Sequence, residues 1–432
     1  MYEKLGLDLD VQPTMKFPQP PGNFIENFNY RQPWTLEKYP MLADWVSEMD
    51  VPLDAAAAAI RKPIFYAPWL QSPEEIHSNW SQNLIELRLP HVQLFRKIAR
   101  NFAARAMYRV GQGNIDGAID DKLTLHLLGR RIAPNTTVVQ YIVGVAIEGM
   151  AMAVPLANPE HPLTEAQICR ILDGLNALPQ RASTFDAREW ERYAGLSYMQ
   201  HTVFGQRNTV FGELAGLCNQ NIVYHRWNEM YDAMQEPPPR TKYDSILKAA
   251  DTTLNPAWKR MALLLTPGGL DTVIAHLLIA TLTPAIQVFE EIVLRVECSD
   301  NLQRLVLAIL LYRLEHGKMP DENWAVQIEK YLGENPEHYF SCPMNPSPKG
   351  KTTYALVQYG NDVREGHDTI LLVERVVPVS FDKATITVDG VLELIANPRQ
   401  PHSSGMNSAR LSGAVVFLKG DRVARKSDDT DL

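Results

Sequence analysis

The chain has 432 residues, of which 45% are hydrophobic and 21% are charged, and this composition excludes a disordered or collagen-like protein. A chain of this length can fold into two or three domains with large cores. Its 42 basic and 50 acidic residues give a net charge of −8. Because the sequence contains no Lys/Arg-rich block, and phosphate neutralisation requires clustered cations, we expect no nucleic acid as a partner.

The chain begins with a charged segment, MYEKLGLDLDV, that lacks the apolar centre of a signal peptide. Two apolar stretches, residues 138–156 and 272–294, could be mistaken for membrane spans, but they contain Glu148 and the pair Glu290 and Glu291. Charged groups are costly at bilayer depth, so we predict buried helices and no transmembrane segment in this chain. We therefore expect the chain to be soluble as given. The sequence leaves two questions open: whether the protein is cytoplasmic or envelope-associated, and what its oligomeric state is.

The first part of the chain combines an extended arm with helices. Residues 1–40 are rich in Pro, Asn and aromatic residues without a sustained period, which predicts an extended Pro-rich arm. A helical domain is predicted for residues 41–265, where apolar residues recur at spacings of three and four. Its segment GQGNIDGA predicts a break between two helices, with Asn114 or Asp116 as the N-cap. This helix pair resembles a tetratricopeptide-type hairpin.

A long apolar helix is predicted after residue 266. We expect it to be kinked at Pro284, interrupted near residues 298–300, and ended by Gly317 at the C′ position, with Pro320 preventing continuation. Short β-rich runs bounded by Pro, Gly and Asp follow, which predict antiparallel strands. These runs are residues 342–357, 368–374, 384–395 and 414–418.

Two motifs in this part resemble the pseudopilins of type II secretion and a group of uncharacterised pilin-like planctomycete proteins. LYRLEHGKMP is similar to the end of the pseudopilin long helix, and the box that starts at His402 is similar to the family's closing box of His, nine residues and Asp-Gly, with Ser412 in place of the Asp. The resemblance implies a pseudopilin-like unit over residues 266–422, followed by a flexible tail at 423–432. Members of this family often carry an N-terminal membrane anchor, so the resemblance also allows envelope association through an anchor missing from the sequence given.

The predicted fold class is therefore α+β. A mainly helical, tetratricopeptide-like N-terminal domain is expected to precede a long helix packed on a small antiparallel sheet. About 270 residues precede this helix, whereas a true pseudopilin carries it at the N-terminus and polymerises through it. We therefore expect a globular unit and no filament subunit, because a shared fold does not carry function across such a change.

Candidate binding residues come from two regions. In the HSSGMN box, His402 and Asn407 could contact a ligand, or they could hydrogen-bond the turn itself. On a predicted helix, His225 and Trp227 could line a groove for a peptide or a sugar, or they could be packing residues. No catalytic residues, metal ligands or cofactor are predicted, since HExxH, GxSxG, P-loop and dinucleotide motifs are missing.

Two further groups of residues receive a structural interpretation. The four cysteines show no CxxC spacing, so neither a zinc site nor a disulfide framework can be read from them, and we interpret them as buried or incidental thiols. Asp116, Asp120 and Asp121 lack the ligand spacing of a calcium loop, and we interpret them as acidic residues near a helix N-terminus.

Two functions fit this sequence. The first hypothesis is a non-enzymatic protein-binding or scaffold protein, because a helical-hairpin domain offers a concave surface for protein partners. The alternative is a hydrolase or small-ligand-binding protein with a site at the domain interface. A deep pocket with converging His, Asp and Glu side chains would favour the alternative, whereas a broad shallow groove would favour the scaffold.

Overall fold

The computed structural model describes most of the chain between residues 33 and 419. The described residues are 33–64, 84, 89–134, 136–156, 161–205, 213, 216–236, 240–255, 257–321, 323–333, 336–343, 351–358, 370–380, 385–387, 405–410 and 415–419. Most of the predicted arm at 1–40, the triple proline at 237–239, His402 and the predicted tail at 423–432 lie outside the described residues.

Helices make up most of the described structure. They are α1 Pro40–Glu48, α2 Asp50–Ile60, α3 Pro90–Gly111, α4 Ile115–Ile132, α5 Val138–Ala153, α6 Glu165–Asn176, α7 Thr184–Tyr198, α8 Gln220–Gln235, α9 Thr241–Leu254, α10 Ala257–Leu264, α11 Gly269–His316 and α12 Trp324–Ile328. A π-helical turn at Met199–Val203 extends α7, and short 3-10 turns occupy Glu329–Tyr331 and Pro336–Phe340.

Local signals in the sequence set several helix ends. The α3–α4 turn passes through Gly113 at φ 75°, and the Asn114 side chain caps α4 by accepting a hydrogen bond of 3.0 Å from the Gly117 amide. Helix α11 ends at Gly317, which takes the left-handed conformation at φ 69°. The predicted interruption near residues 298–300 is wrong, because α11 continues through them as one helix of 48 residues.

Buried apolar side chains form three clusters in the described part of the chain, and α11 contributes to each. Leu307 of α11 joins the cluster built on α1 to α6, Val293 joins a second one with α5 and α12, and Ile274 joins a third one with α8 and α9. A helix that is apolar around most of its circumference is expected at the centre of a protein. The predicted boundary between residues 265 and 266 stays a prediction.

The strands form one sheet after the helical body. They are β1 Lys351–Gln358, β2 Ile370–Ser380, β3 Thr385–Thr387, β4 Gly405–Arg410 and β5 Val415–Lys419. The order is β3-β1-β2-β4-β5; β1 pairs with β3 in parallel and the other neighbours are antiparallel. The sheet is therefore mixed.

The predicted fold class, α+β with a long helix packed on a small antiparallel sheet, is wrong, because the structure is mostly helical. Helix α11 packs against α5, α6, α8, α9 and α10 along its length, so it belongs to the helical body. The prediction placed this helix against the sheet formed by the strands that follow it in the sequence. In the structure, the apolar surface of α11 is buried mainly by helices that precede it.

The two apolar stretches of the sequence are placed in α5 and α11, where Glu148 is fully buried and Glu290 is partly buried within the protein. Within the described ranges, no helix has the length and apolar character needed to cross a bilayer.

Candidate functional site

A cavity of about 860 Å³ lies where α6, α11 and the segment 336–343 meet. The end of α6 and the loop that follows it contribute Asn176 and Arg181, while α11 contributes Glu297 and Arg304. The opposite wall is the segment 336–343. We call it the disulfide-tied segment, because its Cys342 forms a disulfide bond with Cys298 of α11. A volume of this size falls within the usual range for small-molecule sites. We refer to this site as the arginine cavity.

Arg130 and Arg181 form the floor of the arginine cavity, and the buried carboxylate of Glu148 lies beneath them. Arg130 Nε donates to Glu148 Oε2 at 2.6 Å, and Arg181 Nη2 donates to the same oxygen at 2.8 Å. Arg130 Nη2 also reaches Asp300 Oδ2 at 3.4 Å, and Arg181 Nη1 lies 3.7 Å from Glu297 Oε1. These ion pairs connect α4, α5, the loop after α6 and α11 across the base of the cavity.

Arg304 forms the side of the cavity that meets the disulfide-tied segment. Its Nη2 donates to the Leu175 carbonyl at 3.1 Å and its Nη1 donates to the Asn176 side chain. The guanidinium carbon lies 5.3 Å from the centre of the Tyr339 ring, a cation–π contact. Arg304 Nε and Asp300 Oδ1 are buried without a hydrogen-bond partner, so the wall does not satisfy all of its own polar groups.

The ionisation of the cavity residues follows from burial and from their partners. Burial raises the pKa of Glu297, and the neighbouring Arg181 and Arg130 oppose this rise. Burial lowers the pKa of Arg181, but the charge and the hydrogen bond of Glu148 outweigh it, so the pKa of Arg181 is raised overall. Glu148 accepts hydrogen bonds from two permanently charged guanidinium groups, which are the stronger, charge-assisted kind.

A disulfide bond between Cys298 and Cys342 ties α11 to the segment 336–343. Both cysteines are fully buried. Beside the bond, Asn301 Nδ2 donates to the Ser341 carbonyl at 3.0 Å and to the His338 carbonyl at 3.3 Å. The bond therefore fixes one wall of the arginine cavity against the helix that supplies another.

This disulfide was not predicted from the sequence, and the interpretation of the cysteines as incidental thiols is wrong for Cys298 and Cys342. The two paired cysteines are 44 positions apart, and spacing alone does not determine which cysteines pair. The other two cysteines, the exposed Cys169 and the buried Cys218, do not take part in this disulfide.

The four residues proposed from the sequence lie apart from the arginine cavity or outside the described residues. His402 lies outside the described residues. Asn407 is placed in β4, where its backbone pairs with Phe417. His225 and Trp227 both lie on α8, but His225 is exposed whereas Trp227 is buried, donating from its indole nitrogen to the Arg192 carbonyl at 3.1 Å. The structure therefore does not bring His225 and Trp227 to one surface.

The acidic residues near the start of α4 form ion pairs with arginines. Asp116 and Asp120 accept from the two terminal nitrogens of Arg170 at 3.0 and 2.6 Å. Asp121 accepts from Arg105 at 2.6 Å. No cluster of His, Cys, Asp and Glu suited to a metal ion is found among the described residues.

Two further titratable side chains are buried on α4 behind the cavity floor. Lys122 donates to the backbone carbonyls of Val154 at 3.0 Å and Met152 at 3.4 Å, and burial lowers its pKa to about 7. His126, one turn further on, is fully buried with neither ring nitrogen hydrogen-bonded. Burial, followed by the charges of Lys122 and Arg130, lowers the pKa of His126 well below its ordinary value, so this ring is neutral.

Lys122 is expected to make the stability of the protein depend on pH above neutrality. The unfolded chain holds this proton up to about pH 10, whereas the folded chain releases it near pH 7. Because the unfolded state then binds more protons, the free energy of unfolding rises with pH between these values. We expect Lys122→Met to remove about 2 kcal/mol from the rise between pH 7 and pH 9. Urea unfolding of both proteins at each pH measures this difference.

The matched control for this experiment is Lys62→Met, since Lys62 is exposed. This variant should retain the pH dependence of the wild-type protein. A rise in Lys122→Met equal to that of the wild type would show that Lys122 is charged in the folded protein.

Comparisons of this chain with protein-family models, with curated proteins and with solved structures found no match.

Proposed function

We propose that the protein binds a small polar molecule in the arginine cavity. The observation that carries this proposal is the balance of charge around the cavity. Its lining contains the cationic side chains Arg130, Arg181, Arg304 and Lys351 and the anionic side chains Glu297, Asp300 and Glu337. With Glu148, which lies beneath the floor and pairs with Arg130 and Arg181, the number of anionic side chains equals the number of cationic ones.

This balance selects the chemical class of the ligand. A polyphosphate would require cations without partners, but Arg130 and Arg181 are already paired with carboxylates. A hydrocarbon would leave the polar lining without hydrogen bonds, which is costly. A zwitterion, such as an amino acid or a short peptide, matches both signs, because the lining contains the cation Lys351 together with the carboxylates Glu297 and Glu337.

The position of the cavity also supports binding. It lies between the helical body and the disulfide-tied segment, and such junctions are common places for ligand sites. His338 and Asn176 are exposed in its lining, where they can form further hydrogen bonds with a polar ligand. A cavity with converging charged groups favours the small-ligand hypothesis. The protein-binding or scaffold hypothesis stays a prediction.

An extracytoplasmic, envelope-associated location is part of this proposal. Disulfides persist in oxidising compartments and are rare in the cytosol, and the Cys298–Cys342 bond lies in the apolar core. The resemblance to pilin-like envelope proteins is consistent with this location.

The proposal is tested by thermal unfolding of the full chain with a panel of amino acids, dipeptides, sugars and nucleotides. A bound ligand at a hundred times its Kd stabilises the folded state by about 2.7 kcal/mol. We expect an amino acid or dipeptide to raise the unfolding temperature, and the double variant Glu297→Gln, Lys351→Ala to lose this rise. Isothermal titration calorimetry then measures the Kd of each protein.

A control variant, Lys62→Ala, changes an exposed lysine outside the cavity and should bind as the wild type does. Binding that survives the double variant would place the ligand elsewhere. A panel in which no compound stabilises the protein would reject the small-ligand proposal in favour of a protein partner.

A further inference from the structure

Helix α10 exposes an unusual concentration of apolar side chains. None of its residues is buried, and the exposed fractions are 66% for Trp258, 65% for Met261 and 88% for Leu265, which follows the helix. A spacing of three residues places Trp258 and Met261 on one side of the helix, and Leu265 comes directly after the last helical residue, Leu264. Single exposed apolar residues are normal on a protein surface, but several together mark an interaction site.

Two cations stand within this apolar sequence. Lys259 and Arg260 directly follow Trp258 and are both exposed. The Lys259 Nζ atom lies 5.9 Å from the centre of the Trp258 ring, so a cation and an indole are presented together. An apolar face with Trp and Leu beside Lys and Arg is typical of helices that lie in the interface of a membrane. Tryptophan favours that interface, and long cationic side chains reach from it towards the headgroups.

Among the described residues, packing does not explain the composition of α10. Its neighbours α9 and α11 contact the helix, but none of its residues is buried by them, so its apolar side chains remain exposed for contact with another surface. The protein as a whole carries a charge of −8, which opposes binding to an anionic surface. The two cations on α10 would therefore determine which face approaches such a surface.

We propose that α10 docks the protein onto a membrane that contains anionic phospholipids. Trp258, Met261 and Leu265 enter the boundary between headgroups and acyl chains, while Lys259 and Arg260 contact the lipid phosphates. Charge complementarity selects the lipid class, because two adjacent cations gain energy from anionic headgroups and little from zwitterionic ones. The chain lies on the membrane surface through this helix.

The test is flotation of the full chain with vesicles. Phosphatidylcholine vesicles with about 30% phosphatidylglycerol supply the anionic surface, and pure phosphatidylcholine vesicles are the comparison. We expect the wild-type protein to float with the anionic vesicles. The double variant Met261→Ser, Leu265→Ser should reduce the partition coefficient at least about tenfold, since it removes two large apolar side chains from the contact.

The control is Val139→Ser, Val326→Ser, which changes two apolar side chains of similar exposure, 57% and 56%, outside α10; it should float as the wild type does. Lys259→Glu, Arg260→Glu should abolish the preference for anionic vesicles. Failure of the wild type to float, or equal flotation of the Met261/Leu265 variant, would overturn the proposal. A wild-type dimer in light scattering that becomes a monomer in this variant, without flotation, would assign the face to a second copy of the chain.

Discussion

Replacing Glu148 by alanine is expected to lower the free energy of unfolding by about 3–5 kcal/mol, the cost of leaving buried charges without their partner. Glu148 is fully buried and accepts hydrogen bonds from Arg130 and Arg181. Removing its carboxylate leaves these two guanidinium groups without this ion-pair partner. Both side chains are largely buried, with exposures of 7% for Arg130 and 10% for Arg181. Urea unfolding followed by circular dichroism measures the loss.

The control is the same change at Glu291, which forms an i,i+4 ion pair with Arg295 on α11 at 2.8 Å and is 22% exposed. Ion pairs of this kind contribute about 0.5 kcal/mol, so Glu291→Ala should be nearly neutral. Equal losses in Glu148→Ala and Glu291→Ala would show that the floor of the arginine cavity is open to solvent. A variant that combines Glu148→Leu with Arg130→Met and Arg181→Met should recover part of the loss, because it removes the unpaired charges as well.

The parts of the structure that the sequence predicts are those decided by neighbouring residues. Asn114 caps α4 and Gly317 ends α11 because each of these roles depends on one side chain and the few residues beside it. The burial of Glu148 inside an apolar helix was also predictable, since a carboxylate within such a stretch is too costly for a membrane span. Each inference uses information within about one helical turn or one hydrophobic stretch.

The arginine cavity could not be predicted in this way. Arg130 and Asp300 meet across 170 positions of sequence, and Arg181 reaches the same floor from a loop that carries no recognisable motif. An arginine is common on a helix surface, and nothing near it in the sequence distinguishes one that is buried with a distant carboxylate. The site arises from tertiary packing of α4, α5 and α11, which local patterns do not specify.

His225 and Trp227 are two positions apart on one helix, and residues at that spacing do not share a face. The groove that these two residues could line stays a prediction. The predicted fold class is wrong because it placed α11 in one unit with the strands that follow it, since the pseudopilin resemblance spans that helix and those strands. The apolar residues around the whole circumference of α11 were the contrary signal, since they indicate a helix surrounded by partners.

The Cys298–Cys342 bond is the feature on which both the cavity wall and the proposed location depend. Its sulfur atoms lie in the second apolar cluster, which Phe289, Leu302 and Phe340 also share. A bond in such surroundings is protected from reductants while the protein is folded, because thiol exchange requires access to a sulfur atom. The bond should therefore be present in the native protein, with two of the four cysteines titrating as free thiols in denaturant.

Removing this bond with Cys298→Ala, Cys342→Ala is expected to lower the free energy of unfolding by about 4 kcal/mol. The bond closes a loop with a sequence separation of 44, and opening a loop of that size restores conformational entropy to the unfolded chain. Urea unfolding without reductant measures the loss, and the control Cys169→Ala, Cys218→Ala should keep the bond and most of the stability. Four free thiols in the denatured wild-type protein, or a loss below about 1 kcal/mol, would contradict the bond and remove its support for an extracytoplasmic location.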